Sequence, residues 1–235
     1  MNAWSRVPVQ DCSDGASRAQ SILTRMENMH SEGSMPTLKP DKKCYTCVLN
    51  AWSRSRQPNK AQQACALLQK IESLYKDGNE EFKPDLCLYK TVMNTAAFIP
   101  FEENIGQQQR DALDITYQTF MNLDKNGHEF GMEADSVIYS MFLKACRNLM
   151  PADSSRNSVV KAVFGKCCRE GLVGAIVLKE LKKCCAQNDI GQILWNELIL
   201  ENARNKISDL NGEIPNLEDL PQQWSRFVKK NQPRP

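Results

Sequence analysis

The chain has 235 residues, is 41% hydrophobic and 25% charged, and carries a formal net charge of +2. That length and apolar content suffice for a folded core, and no run approaches the 18 consecutive apolar residues of a membrane span. The near-neutral total excludes a bulk polybasic or polyacidic character, so partners must be read from where charges fall.

In chain order, the first signal is a repetition. Asn2-Ala3-Trp4-Ser5-Arg6 recurs as Asn50-Ala51-Trp52-Ser53-Arg54, 48 positions later. Lys39-Pro40-Asp41 recurs as Lys83-Pro84-Asp85, with Tyr45 and Tyr89 each four residues on, and a decayed copy runs Glu133-Ala134-Asp135 to Tyr139. Repetition at 44 to 50 residues predicts a stacked array of helical units, each unable to bury its apolar faces alone.

Each Asp opens a helix A. The apolar sets Tyr45, Val48, Leu49, Trp52; Tyr89, Val92, Met93, Ala96; and Tyr139, Phe142, Leu143, Cys146 all follow i, i+3, i+4, i+7. Proline cannot continue the preceding element, and aspartate caps the next helix. A helix B follows: residues 19–29 align with 64–74, pairing Ile22 with Leu67, Leu23 with Leu68, Met26 with Ile71 and Met29 with Leu74. The third unit carries Thr119, Phe120, Leu123 and Gly127 here, and the fourth Val163, Phe164, Cys167 and Gly171. Gly33, Gly78, Gly127 and Gly171 stand where a left-handed C-terminal cap is wanted. The A–B loops are expanded at Gln57-Pro58-Asn59-Lys60, at Pro100 to Asp111 and at Pro151 to Asn157.

The units are expected at 1–41 (a partial first repeat), 42–85, 86–135 and 136–175, with 176–235 holding a partial fifth repeat and a C-terminal cap. Within that last stretch, Asp189 to Arg204 reads as an amphipathic helix, Leu220 to Trp224 as a short closing helix, and Arg226, Lys229, Lys230 and Arg234 as a basic tail. Met1 falls in the middle of a helix A, so the chain is expected to be a truncated product lacking upstream repeats and a targeting segment.

Charge is segregated. The helix A segments 42–56, 86–99 and 136–149 hold Lys42, Lys43, Arg54, Arg56, Lys90, Lys144 and Arg147 and no Asp or Glu. A single-signed layer is the electrostatic footprint of a polyanion partner. With Tyr45, Val48, Leu49 and Trp52 turned to the core, Lys43, Thr46, Asn50 and Ser53 share one stripe about 120° away.

Tyr-x-x-x-Leu-Asn-Ala-Trp in helix A, the helix B pattern, and the glycine followed by Lys-Pro-Asp resemble the pentatricopeptide repeats, in the long-unit, divergent subtype found in algae, over roughly residues 1–185. The resemblance implies an all-α, right-handed superhelical solenoid of stacked antiparallel helix pairs with a C-terminal helical cap. It implies non-catalytic binding of single-stranded RNA in organellar RNA processing, stability or translation, one base per repeat being read by two or three side chains. The reader follows the helix A tyrosine, its partner ends the unit, and the residue two before the tyrosine stacks. On this chain the positions are Thr46, Asp85 and Lys43 in the second unit, and Lys90, Asp135 and Cys87 in the third. The fourth has Ser140 and Val137, with Ala175 in the place of the partner; the first keeps only Asp41 of its pair. Thr46 with Asp85 implies guanine, whereas Lys90 departs from the pattern and suits a phosphate. Asn50, Arg54 and Lys144 complete the expected RNA-binding face. The resemblance also implies a mitochondrial or plastid location, a monomer, and other proteins of an RNA-processing complex as further partners. The competing reading is a protein-binding scaffold of the tetratricopeptide kind; the decayed reader pairs favour it, and the acid-free A helices favour RNA.

Ten cysteines raise zinc. Cys44-x-x-Cys47 has half-site spacing, and the doublets Cys167-Cys168 and Cys184-Cys185 could supply another half. The pair, however, lies one turn apart inside helix A and the doublets fall in different elements, so small buried apolar roles are expected and no metal or other cofactor. His30 and His128 sit near unit ends beside glycines with no partner at catalytic spacing, and no glycine-rich phosphate loop is present, so no enzymatic activity is expected.

Overall fold

The computed structural model describes residues 12–33, 35–99, 105–186, 189–190, 192–194 and 217–228. Among these residues the regular structure is helical, with no strand. The helices are α1 (Cys12–Ser31), α2 (Lys42–Arg54), α3 (Lys60–Lys76), α4 (Leu86–Ala97), α5 (Ile105–Phe130), α6 (Ser136–Leu149), α7 (Ser154–Arg169) and α8 (Ala175–Cys184). The chain forms two compact units, Met1–Glu133 and Ala134–Pro235. The Asn2–Arg6 copy of the repeated string lies outside the described residues.

In the first unit, α1, α3 and α5 are B helices and α2 and α4 are A helices. Each A helix packs on the B helices before and after it, α2 packs on α4, and α3 on α5. The cause is visible in sequence. Tyr45, Val48, Leu49 and Trp52 of α2, and Tyr89, Val92, Met93 and Ala96 of α4, are all buried, as the i, i+3, i+4, i+7 spacing requires. Phe82, in a 3₁₀ turn ahead of the second Lys-Pro-Asp, meets the Tyr45 ring edge-on at 5.6 Å. In the second unit α6 packs on α7 and α8, burying Ile138, Tyr139, Phe142, Leu143 and Cys146.

The A helices begin alike. Asp41, Asp85 and Asp135 adopt extended backbone, and their carboxylates accept the N–H of Cys44, of Leu88, and of Val137 and Ile138. The B helices end alike. Gly33, Gly78, Gly131 and Gly171 have φ of 71°, 92°, 69° and 70°. After α3, α5 and α7 the following N–H reaches back to close the cap, as in Met132 N–H to the Gly127 carbonyl at 2.7 Å.

Four sequence expectations change. Helix α5 starts at Ile105, inside the segment read as a loop from Pro100 to Asp111, because Gln107 to Asp111 are helix-compatible and nothing interrupts them. The helix also runs on to Phe130, so its cap is Gly131 and not Gly127, which lies within the helix. Gly127 is needed for close approach, since a Cβ there would stand 2.8 Å from the Met132 carbonyl oxygen. Ile22 is 38% exposed whereas its counterpart Leu67 is buried; α1 packs chiefly on α2, while α3 packs on α2, α4 and α5. The closing segment is two 3₁₀ turns, Leu217–Asp219 and Gln222–Ser225, in place of a helix. Most of the helix expected over 189–204, and the basic tail beyond Val228, lie outside the described residues; Ile190, Ile193 and Leu194 are buried.

That closing segment docks on the turn between α7 and α8. Trp224 is fully buried, with its ring edge-on to Phe164 at 5.9 Å. Val173 N–H donates to the Trp224 carbonyl at 2.7 Å, and Phe227 N–H to the Gly171 carbonyl at 3.0 Å. Gly171 admits it, because a Cβ would stand 2.6 Å from Arg226 Cγ.

Candidate functional site

The A helices supply the candidate positions. In α2, Lys43 is exposed and Thr46, Asn50 and Ser53 are half-buried along one side; Arg54 is exposed at the C-terminal end. In α4, Cys87 is exposed and Lys90 half-buried; in α6, Val137 and Lys144 are half-buried. No acidic residue occurs within α2, α4 or α6, whereas α8 carries Glu180.

The reader positions are engaged within the protein. Thr46 Oγ1 donates to the Lys42 carbonyl at 2.8 Å. Lys42 Nζ donates to the Lys83 carbonyl at 2.6 Å and to Asp85 Oδ2 at 2.7 Å, while Asp85 Oδ1 accepts the Leu88 N–H at 3.1 Å. The structure thus joins Thr46 and Asp85 through one residue, Lys42, which in the sequence stands out only as a charge. A second tie runs parallel to it, Lys39 Nζ to Glu81 at 2.9 Å. Both pairs reach solvent, the second more than the first, so each contributes little to stability, on the order of 0–1 kcal/mol. Ser140 departs further from the expected polar stripe: it is only 8% exposed and its hydroxyl donates to the Val137 carbonyl at 2.8 Å, in a helix covered by both α7 and α8. Lys90 belongs to the first unit and its expected partner Asp135 to the second, where Asp135 caps α6. Ala175 is exposed at the first position of α8.

The tyrosine that marks each helix A has a second role that sequence reasoning missed. Tyr45 donates to Glu27 Oε1 at 2.5 Å, Tyr89 donates to Glu72, and Tyr139 donates to Glu170. Burial pushes the Tyr45 and Tyr89 phenols well above their ordinary range, and the neighbouring carboxylates add to it. The signal was available: Glu27 and Glu72 occupy one register of the aligned B helices, 18 and 17 residues before their tyrosines. In the fourth unit that register holds Cys168, and Tyr139 turns to Glu170 at the end of α7.

Four of the cysteines sit as packing residues. Cys146, Cys167, Cys168 and Cys184 are buried, and burial pushes the Cys146 and Cys184 thiols up to about 12. Such thiols are poor nucleophiles and poor ligands at neutral pH. Cys184 donates instead to the Leu143 carbonyl at 3.0 Å. Cys44 and Cys47 are half-buried in α2, and desolvation raises the Cys44 thiol. Among the described residues no group of three His, Cys, Asp or Glu could hold a metal ion, and no helix is long and apolar enough to cross a membrane. His30 and His128 offer their backbone carbonyls to the cap N–H groups of Gly33 and Gly131 at 3.2 and 3.1 Å.

Comparison with family models, with curated proteins and with solved structures gives no match.

Proposed function

We propose that the chain binds single-stranded RNA on the polar side of its A helices, without catalysis. Its helix pairs would continue as a right-handed pentatricopeptide-type solenoid serving RNA maturation, stability or translation in a mitochondrion or plastid. The observation that carries this reading is the charge of α2, α4 and α6. Each turns its apolar face inward, each starts at an Asp cap, and together they bear Lys42, Lys43, Arg54, Lys90, Lys144 and Arg147 with no acid. The repeat supports it, because Asp85 recurs as Asp41 and Asp135 at register positions beside those cations. A base reaching Asp85 has to displace Lys42, whose ammonium then becomes available to the phosphate backbone.

A second reading, a protein-binding helical scaffold, is favoured by the burial of Ser140 and by the engagement of Thr46 and Asp85. Fluorescence anisotropy against labelled single-stranded and duplex RNA separates the two. The RNA reading expects preference for the single strand and a log–log salt slope of about −0.7 per phosphate neutralised. A folded protein that binds neither strand at low salt supports the scaffold instead. In a protein that binds, Thr46→Asn should shift preference at one position from guanine towards uracil; an unchanged preference would sink the register assigned to Thr46.

A further inference from the structure

Helix α5 is the longest of the described helices at 26 residues, and only one side of it belongs to the repeat core. Ala112, Thr116, Phe120, Leu123 and Phe130 are buried towards the first unit, where α5 packs on α3 and α4. On the other side, Arg110, Asp114, Tyr117, Met121 and Lys125 are all exposed. At 100° per residue these five lie within about 80° of one another, as a single stripe. Tyr117 is 52% and Met121 41% exposed, an apolar pair one turn apart. The repeat does not require them. At the same register α1 has Gln20 and Thr24, and α3 has Cys65 and Gln69.

The stripe has a charge order that reads correctly against itself. Towards the N-terminus of the apolar pair stand Arg110 and then Asp114; towards the C-terminus stand Lys125 and then, about 40° beyond the stripe, the exposed Glu129. The exposed Asp124 lies about 20° beyond its other edge, level with Ile115 and so opposite no charge in the pairing below. Reversed, plus, minus, apolar, apolar, plus, minus becomes its own complement. In an antiparallel pair of α5 helices with the two-fold between the levels of Thr119 and Phe120, Arg110 stands level with Glu129 of a second copy. Asp114 then stands level with Lys125, and Tyr117 and Met121 meet at the centre. A parallel pair would set each charge against its like. The hydrogen bonds that Arg110 and Asp114 make along the helix are to the neutral amides of Gln107 and Gln118, at 3.0 and 2.8 Å.

We propose that the exposed face of α5 is a self-association surface, and that its occupant is α5 of a second copy of this chain, running antiparallel. This replaces the monomer expected from the sequence and does not depend on RNA binding. The paired stretch from Arg110 to Glu129 is roughly 28 Å long at 1.5 Å per residue. Two apolar side chains per copy fall short of the roughly 1,200–2,000 Å² interface of a permanent complex, so the dimer is weak, concentration-dependent and sensitive to salt.

Sedimentation equilibrium of the whole chain under reducing conditions at low salt, across a wide concentration range, tests this. The wild type should follow a monomer–dimer equilibrium. Asp114→Lys and Lys125→Asp should each lower the association constant about tenfold, since each sets two like pairs across the two-fold. An equimolar mixture of those two variants should regain dimer, because every opposed pair is then complementary. Tyr117→Lys with Met121→Lys should be monomeric with unchanged far-UV circular dichroism. A wild type that stays monomeric at the highest concentration would overturn the proposal. So would a dimer indifferent to the charge variants, or a mixture no better than its components.

Discussion

Two junctions perform the same task in different ways. Between α3 and α4, the chain turns at Gly78, passes Phe82 and starts a helix at Lys83-Pro84-Asp85. What fixes that turn belongs to the repeat: a glycine cap, a buried ring and a carboxylate cap at the turn itself, and Lys39 and Lys42 one unit earlier. Between α7 and α8, the turn at Gly171 has only Leu172, Val173 and Gly174 before the next helix, and Gly174 makes no side-chain cap. Here the support comes from the segment around Trp224, about fifty residues on, through the Trp224 ring in the core and two backbone hydrogen bonds, one to the Trp224 carbonyl and one from the Phe227 N–H. Where the repeat decays, a distant segment stands in for the local motif.

The sharpest way to break this comparison is to remove the distant support. Trp224→Ala should destabilise the second unit by about 3–5 kcal/mol, the usual cost of emptying a large aromatic site. Urea unfolding followed by far-UV circular dichroism checks it; a drop under about 1 kcal/mol would mean the junction holds itself. Tyr89→Phe acts on the local device of the first unit. It deprives the buried Glu72 carboxylate of this donor and should cost about 1–3 kcal/mol in the same experiment. Replacing the cap glycines sharpens the contrast. Gly78→Ala meets nothing within 4 Å and should cost only the left-handed strain, about 1 kcal/mol, whereas Gly171→Ala adds a Cβ 2.6 Å from Arg226 Cγ and should cost clearly more.

Alkali gives the smallest and broadest effect. Tyr45, Tyr89, Cys146, Cys167 and Cys184 have folded pKa values raised above their unfolded ones, so the folded chain holds protons that the unfolded chain releases. Their contribution is complete below the unfolded values, about 8.5 for Cys and 10 for Tyr, and is lost as pH rises beyond them. The melting temperature should therefore fall steadily from about pH 9 upward. A flat profile to pH 11 would contradict the burial of these groups.

Much of this is legible in the sequence because it is local and periodic. The three Asp caps, the inward A-helix faces and three of the four cap glycines follow from spacing alone. What the sequence hides depends on contacts between elements. Lys42 reads as a surface charge until α2 and α4 lie side by side and its ammonium reaches Asp85. Ser140 reads as polar stripe until α7 and α8 cover α6. The start of α5 is hidden because helix-compatible glutamines between a proline and an aspartate look like a loop. Trp224 reads as part of a cap, but no periodicity could name Phe164 or Gly171 as its contacts.

The claim that the A helices carry a polyanion site is tested most directly by comparing two lysine variants for salt-dependent binding of single-stranded RNA. Lys43→Ala with Lys90→Ala removes cations from α2 and α4; Lys70→Ala with Lys161→Ala removes the same charge from α3 and α7. The first pair should weaken binding to every RNA and flatten the log–log salt slope by about 0.7 for each phosphate that is no longer neutralised, while the second leaves the slope unchanged. Equal weakening by both pairs, or an unchanged slope in the first, would contradict it.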